Sequence, residues 1–196
     1  LQGGLKLFYI QTMGWRKEKP VPPLPPVPKN MGYNVDYEKL DEFLIDKEKF
    51  SPDAYQVKST KPDGTTHLGQ WTIGYGNEFY EDGSRVKKGD TINEAEAHKL
   101  MRFAVNQGLE QLEKEPTFQK MNINQKTGMA SFAYNLGPYF MESVHYPNLQ
   151  KAVRSGDIND IHRMMRKFVY SDGQYMEGLR IRREDEINLM NTPLSS

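Results

Sequence analysis

Glu48 and Thr72 are the two side chains around which chemistry can be built. Cutting a glycosidic bond needs a proton donor on the leaving oxygen. The opposite face of the sugar needs a nucleophile, a base or a group that stabilises positive charge. A carboxylic acid donates near neutral pH only when burial or a nearby negative charge favours its protonated form. Glu48 closes an apolar-patterned run and is followed by Ser51-Pro52, where a helix must stop because the residue before proline avoids the α region. The acid therefore falls at the negative end of a helix dipole, which disfavours a second negative charge. A glutamate near a helix end is usually a solvated surface residue, so the position alone does not assign the role.

These side chains need elements to hold them. Val35, Leu40, Phe43 and Leu44 fall near one face of a helix over 34–49, with Asn34 as its N-cap. Gln70 to Tyr75 is aromatic and β-branched and reads as a strand, and Pro62-Asp63-Gly64 and Asp82-Gly83 are turn sequences. A small antiparallel sheet or pair of hairpins is expected over 56–90. Thr91-Ile92-Asn93-Glu94 reads as a capping box opening a helix to about Glu115, which Pro116 stops. A helix from Asn124 to Leu136, with Gly137 as its stop, is apolar on most sides and should be the buried centre of a helical lobe. Further helices are expected at 148–154, 158–167 and 178–190. The fold class is thus α+β: a mostly helical lobe, a small antiparallel β-lobe and a cleft between them.

Four motifs in chain order carry a family resemblance. Phe43-Leu44-Ile45-Asp46-Lys47-Glu48 is followed by Ala54-Tyr55, and Trp71-Thr72-Ile73-Gly74-Tyr75-Gly76-Asn77 comes next. Ser131-Phe132-Ala133-Tyr134-Asn135-Leu136-Gly137 and Gly178-Leu179-Arg180-Ile181-Arg182-Arg183-Glu184 complete the set. Over about 40–190 the chain resembles the phage-type lysozymes, the endolysin family of the T4 and P22 enzymes. The resemblance implies a lysozyme-like fold and cleavage of bacterial peptidoglycan between N-acetylmuramic acid and N-acetylglucosamine. It implies Glu48 as general acid and Thr72 as the residue that positions the attacking water. Tyr55, Tyr75 and Asn135, which lie in these motifs, are the expected substrate-binding residues. Arg180 or Arg183 is the expected partner of Glu48 or of its helix end. The family often carries Asp nine residues after the Glu, and here that position is Val57. Asp63 is a candidate substitute base, although Pro62 and Gly64 around it favour a surface turn. Asn77 replaces the family's usual His. A single-Glu site without the Asp also suits a lytic transglycosylase, and the fold could equally serve as a non-catalytic wall-binding or structural module of a phage particle.

The rest of the sequence bounds these readings. Lys and Arg number 26, Asp and Glu 26, and there is no cysteine, so bulk charge implies no partner and disulfides are excluded. No apolar run reaches the ~18 residues of a membrane span. The four histidines show no metal-binding spacing, so no metal and no cofactor are expected. Gly74-Tyr75-Gly76 lacks the lysine of a phosphate loop, and aromatics do not alternate with basic residues as nucleic-acid binding would require. From His145 to Arg183, eight Lys or Arg face four acids, a surplus suited to an anionic wall or to an ordinary solvated surface. Residues 1–19 read as an arm, with 5–10 a short strand or docking segment. Six of the nine residues over 20–28 are proline, which favours a polyproline II spacer of roughly 28 Å within a linker over 20–33. The lysozyme-like domain is placed at 34–191 and the tail at 192–196. The arm and linker are candidate contacts to a phage particle or other assembly. Action at the bacterial wall or periplasm is expected, from a virion or by release from the host cytoplasm at lysis.

Overall fold

The computed structural model describes residues 32–60, 64–171 and 173–194. The expected arm, the proline tract and Asp63 lie outside the described residues. Helix α1 spans Tyr37–Glu48 and is capped by Asp36, whose carboxylate accepts from the Lys39 amide at 3.1 Å. The cap is two residues later than Asn34 because the Val35 amide is engaged outside the helix, with Tyr33 O at 2.8 Å. Leu40 and Leu44 are fully buried. The helix ends abruptly at Lys49, whose φ of 48° is left-handed and incompatible with another turn.

The chain then enters a small sheet. Strand β1, Ser51–Thr60, pairs antiparallel with β2, Thr66–Gly74, with Ser51 opposite Gly74 and Tyr55 opposite Thr72. Pro52 is accommodated inside β1 because only its carbonyl is used, accepting from the Ile92 amide at 2.9 Å. Beyond β2 the chain turns tightly and returns, with Ile73 bridging Asn77 and Phe79 bridging Arg85. The other flank of β1 is covered where Asp53 bridges Thr91.

That bridge explains a shifted helix start. Thr91 and Ile92 are committed to the sheet, so α2, Glu94–Leu112, takes its capping box from Asn93 and Glu96 instead. Pro116 does not simply interrupt the chain; it opens a short helix α3, Pro116–Gln119, where its missing amide is no loss. Helix α4, Ile123–Leu136, is the centre of the larger lobe, and nearly every residue from Asn124 to Leu136 is buried. Gly137, with φ 94°, stops it as expected. Helices α5, Pro147–Ser155, and α6, Ile158–Met165, follow. A two-residue hairpin, β3 Tyr170–Ser171 and β4 Gln174–Tyr175, leads into α7, Glu177–Asn191. Helices α1, α2 and α7 pack around α4. The architecture is the expected one: a mostly helical lobe with a small antiparallel sheet beside it.

Two glycines allow close approaches. A Cβ on Gly74, already at φ 64°, would sit 2.9 Å from the Ala97 Cβ, so the sheet docks directly onto α2 there. A Cβ on Gly128 would overlap Met190 Cγ and come 2.8 Å from the Glu186 carbonyl oxygen, so α4 and α7 touch through their backbones. That contact aligns the polar groups described next.

Candidate active site

Glu48 stands on the last residue of α1, with its side chain only 3% exposed. Its carboxylate accepts from Arg182 Nη1, and Arg182 Nε reaches Glu186 Oε1 at 3.1 Å. Arg183 pairs with the other oxygen of Glu186 at 3.0 Å, donates to Asn135 Oδ1 at 2.9 Å and lies over the Phe132 ring at 4.7 Å. Ser131 donates to Glu186 Oε1 at 2.9 Å. Two acids and two arginines thus form a neutral network between α1, α4 and α7. Burial opposes the Arg182 charge, but Glu48 and Glu186 outweigh it and raise its pKa. Arg183, buried beside a like charge, is lowered to about 10.

The expected partner of Glu48 is corrected by this arrangement. Neither Arg180 nor Arg183 holds it; Arg182 does. Successive helix residues rotate by about 100°, and α7 turns Leu179, Arg182, Arg183 and Glu186 inward. Arg180 falls on the outer face, where it pairs with Glu177. The basic surplus over 145–183 is also largely neutralised. Arg154, Arg163, Arg166, Arg180, Arg182 and Arg183 each make ion pairs.

The sheet supplies the other wall. Thr72 is buried at 6% exposure, and its hydroxyl donates to the Gln70 carbonyl at 3.2 Å. Tyr55 faces it across the strands. Burial raises the Tyr55 pKa and the Glu48 charge adds to the shift, which places that ring within electrostatic reach of the acid. Tyr55 thus lies opposite Thr72 and within reach of the Glu48 charge. Tyr75 and Asn135 are not available as substrate-binding residues. Tyr75 is 1% exposed, with its hydroxyl 3.3 Å from Glu94 Oε1 and its ring against Phe50. Asn135 is equally buried and is occupied by Arg183. Both side chains belong to the packing that supports the site. Asn77 has the same supporting character: Tyr134 donates to the Tyr75 carbonyl at 2.9 Å and lies 3.4 Å from Asn77 Oδ1, tying the turn after β2 to α4.

Val57 lies at a register shift of β1 between Gln56 and Lys58, with Gly69 against its backbone. No carboxylate is available from that position. Among the described residues no cluster of His, Asp, Glu or Cys could hold a metal ion.

The family model for phage lysozyme matches residues 46–186, a span that runs from just before Glu48 to Glu186 of its network. The chain belongs to the phage lysozyme family. The endolysins of Lactococcus phages c2 and phivML3 are each 29% identical over 126 residues, which is 64% of this chain and 50% of theirs. The chain thus spans about half the length of these curated relatives. Solved structures share the fold of this chain. The active form of P1 phage endolysin Lyz matches with TM-score 0.60 at 20% identity, covering 81% of this chain and 85% of that one. The muramidase domain of SpmX from Asticaccaulis excentricus matches with TM-score 0.56 at 24% identity, covering 79% and 96%. Family membership supplies what spacing alone did not: a reason to read a buried glutamate at a helix end as chemical.

Proposed function

We propose that this domain cleaves the glycan strand of bacterial peptidoglycan by hydrolysis, between N-acetylmuramic acid and N-acetylglucosamine. The observation that carries the reading is the buried Glu48 carboxylate, set against the sheet wall of Tyr55 and Thr72 in a phage lysozyme fold. Glu48 donates its proton to the leaving oxygen, and Thr72 orients water on the opposite side of the sugar ring. Glu48 must be protonated to act, whereas Arg182 pairs with its charged form. Arg182 is also bonded to Glu186, so it retains a carboxylate partner when Glu48 takes a proton. The site acts at the bacterial wall, reached from a virion or by release at lysis, with residues 1–33 as the link to any larger assembly.

The test is digestion of purified peptidoglycan followed by mass spectrometry. Hydrated reducing ends are expected, and Glu48→Gln should lower their release at least 100-fold, the scale of a general acid. Val57 in place of Asp makes a lytic transglycosylase the second reading, and 1,6-anhydro ends would select it. A wild-type chain that binds peptidoglycan without releasing either product would establish a wall-binding module instead.

A further inference from the structure

A lone arginine held against a general acid opposes its work, because a nearby positive charge favours the charged carboxylate. Glu48 has such an arginine in Arg182, but Arg182 is not alone. We propose that Glu186 is a positioning residue for catalysis, which shares Arg182 with Glu48 and so sets the pH range over which Glu48 can donate a proton. The role rests on Glu48 as the acid, a reading that hydrolysis and transglycosylation have in common.

The geometry is that of one guanidinium between two carboxylates. Arg182 Nη1 donates to Glu48 on α1, and Arg182 Nε donates to Glu186 Oε1 on α7 at 3.1 Å. Glu186 lies four residues after Arg182 and three after Arg183, so both arginines reach it along one helix face. Its Oε1 also accepts from Ser131 Oγ of α4 at 2.9 Å and from Arg183 Nη2 at 3.2 Å, and Arg183 Nε lies 3.0 Å from Oε2. The side chains of Arg182, Arg183 and Glu186 are all 0% exposed, so water shares none of these charges. The close approach of Gly128 to the Glu186 carbonyl fixes the backbone beneath the carboxylate.

Stability gives little reason for the second acid. Glu48 and Arg182 already make a neutral pair, and taking two more charges out of water generally does no better than packing apolar groups of the same volume. The chemistry gives a reason. With Glu48 ionised, two carboxylates face two guanidiniums and the cluster is neutral. With Glu48 protonated, Glu186 limits the cluster to one positive charge. Without Glu186 that charge would be two, and Glu48 would give up its proton to water at a lower pH. No neighbour can take over this role. Ser131 and Asn135 of α4 are neutral, and Tyr55 of β1 feels the Glu48 charge without offsetting it. The nearby acids Asp46 and Asp185 are engaged by Lys47, at 3.1 and 2.8 Å.

The full chain, Glu186→Gln, Glu186→Asp and Arg183→Met are assayed for kcat on purified peptidoglycan from pH 4 to 9, with thermal melts showing which are folded. Wild-type kcat should fall on the alkaline side as Glu48 loses its proton. Glu186→Gln should move that fall towards acid by roughly one pH unit or more, the scale of removing a neighbouring charge. On the acid side it should keep kcat within about tenfold of wild type, well short of the 100-fold loss that removal of a general acid brings. Glu186→Asp keeps the charge and should stay within about half a unit of wild type. Arg183→Met is the converse variant: it leaves Glu186 to Arg182 alone and should move the fall towards alkali. A role in folding alone would lower kcat at every pH and leave the fall in place. A folded Glu186→Gln with an unmoved fall overturns the assignment, and so does a Glu186→Asp shifted as far as Glu186→Gln. An Arg183→Met profile that stays or moves towards acid overturns it too. Failure of both Glu186→Gln and Arg183→Met to fold makes the role structural and overturns it as well. A wild type that releases neither hydrated nor anhydro ends, or a Glu48→Gln as active as wild type, removes the acid role of Glu48 and this one with it. An active wild type silenced by Glu48→Gln, with the fall unmoved in Glu186→Gln, removes only the role of Glu186.

Discussion

Arg182→Met is the substitution that probes the buried network most directly. Arg182 is fully buried, as is Glu186, and the Glu48 side chain is 3% exposed. The network contains Glu48, Glu186, Arg182 and Arg183, two charges of each sign. Methionine fills much of the same volume but leaves the two carboxylates facing one guanidinium. Removing one partner of a buried pair costs about 3–5 kcal/mol, because the remaining charge stays desolvated. For a domain of this size, each kcal/mol corresponds to about 2–4 °C in Tm, so a fall of roughly 6–20 °C is expected. Urea unfolding at pH 7 measures the loss as a lower midpoint at unchanged slope. The cycle with Glu48→Gln isolates the pair. The double variant should be more stable than the sum of the single losses by about 1–3 kcal/mol, because a neutral amide in place of the Glu48 carboxylate leaves no stranded charge there. An Arg182→Met protein within about 1 kcal/mol of wild type, or a strictly additive cycle, would refute the view that these charges hold one another.

Three other perturbations address separate parts of the molecule. Gly128→Ala should destabilise by about 1–3 kcal/mol in urea, since its Cβ would overlap Met190 and press on the Glu186 carbonyl, forcing α4 and α7 apart. His162 is buried, its Nε2 has no hydrogen-bond partner among the described residues, and burial with Arg166 lowers its pKa. Its folded pKa lies below its unfolded one, so the unfolded chain binds more protons and stability falls as pH drops through about 6.5. His162→Leu should flatten that acid limb in melts from pH 5 to 7.5. Glu78 has the opposite linkage. Its folded pKa of about 7 exceeds the ordinary glutamate value of 4.5, so the folded state binds more protons and stability declines as pH rises between the two. Glu78→Gln should therefore be the more stable protein at pH 8, by up to about 3 kcal/mol, with the gap closing towards pH 4.5.

The elements are legible where pattern and punctuation agree. The buried α4 and its Gly137 stop follow from residue types alone, and so does the strand through Trp71 and Thr72. Caps are harder, because tertiary pairing competes for the same residues. Thr91 has the spacing of an N-cap but is used by the sheet, so Asn93 caps α2. The hairpin of Tyr170 and Tyr175 is too short to leave a periodic signal. In the candidate site, Glu48 and Thr72 are picked out by motifs. The choice among three neighbouring arginines cannot, because it depends on the rotational setting of α7 against α1. Tyr75 and Asn135 sit in the right motifs but serve the core, and a motif does not say which way a side chain turns.

The bond from Tyr134 to the turn after β2 has a mechanical consequence. Were the small lobe to turn on the central helix, this bond would be its pivot. When one body rotates about a fixed point, displacement grows with distance from that point. Thr72 is three residues from Tyr75, whereas Thr66, at the start of β2, is six residues farther along the strand, roughly 20 Å away. A modest swing of the lobe would sweep the far tip of the β1–β2 hairpin widely while Thr72 travels much less. Under the proposed hydrolase reading, a bulky, cross-linked polymer would then be admitted at the rim while the spacing between Glu48 and Thr72 changes little.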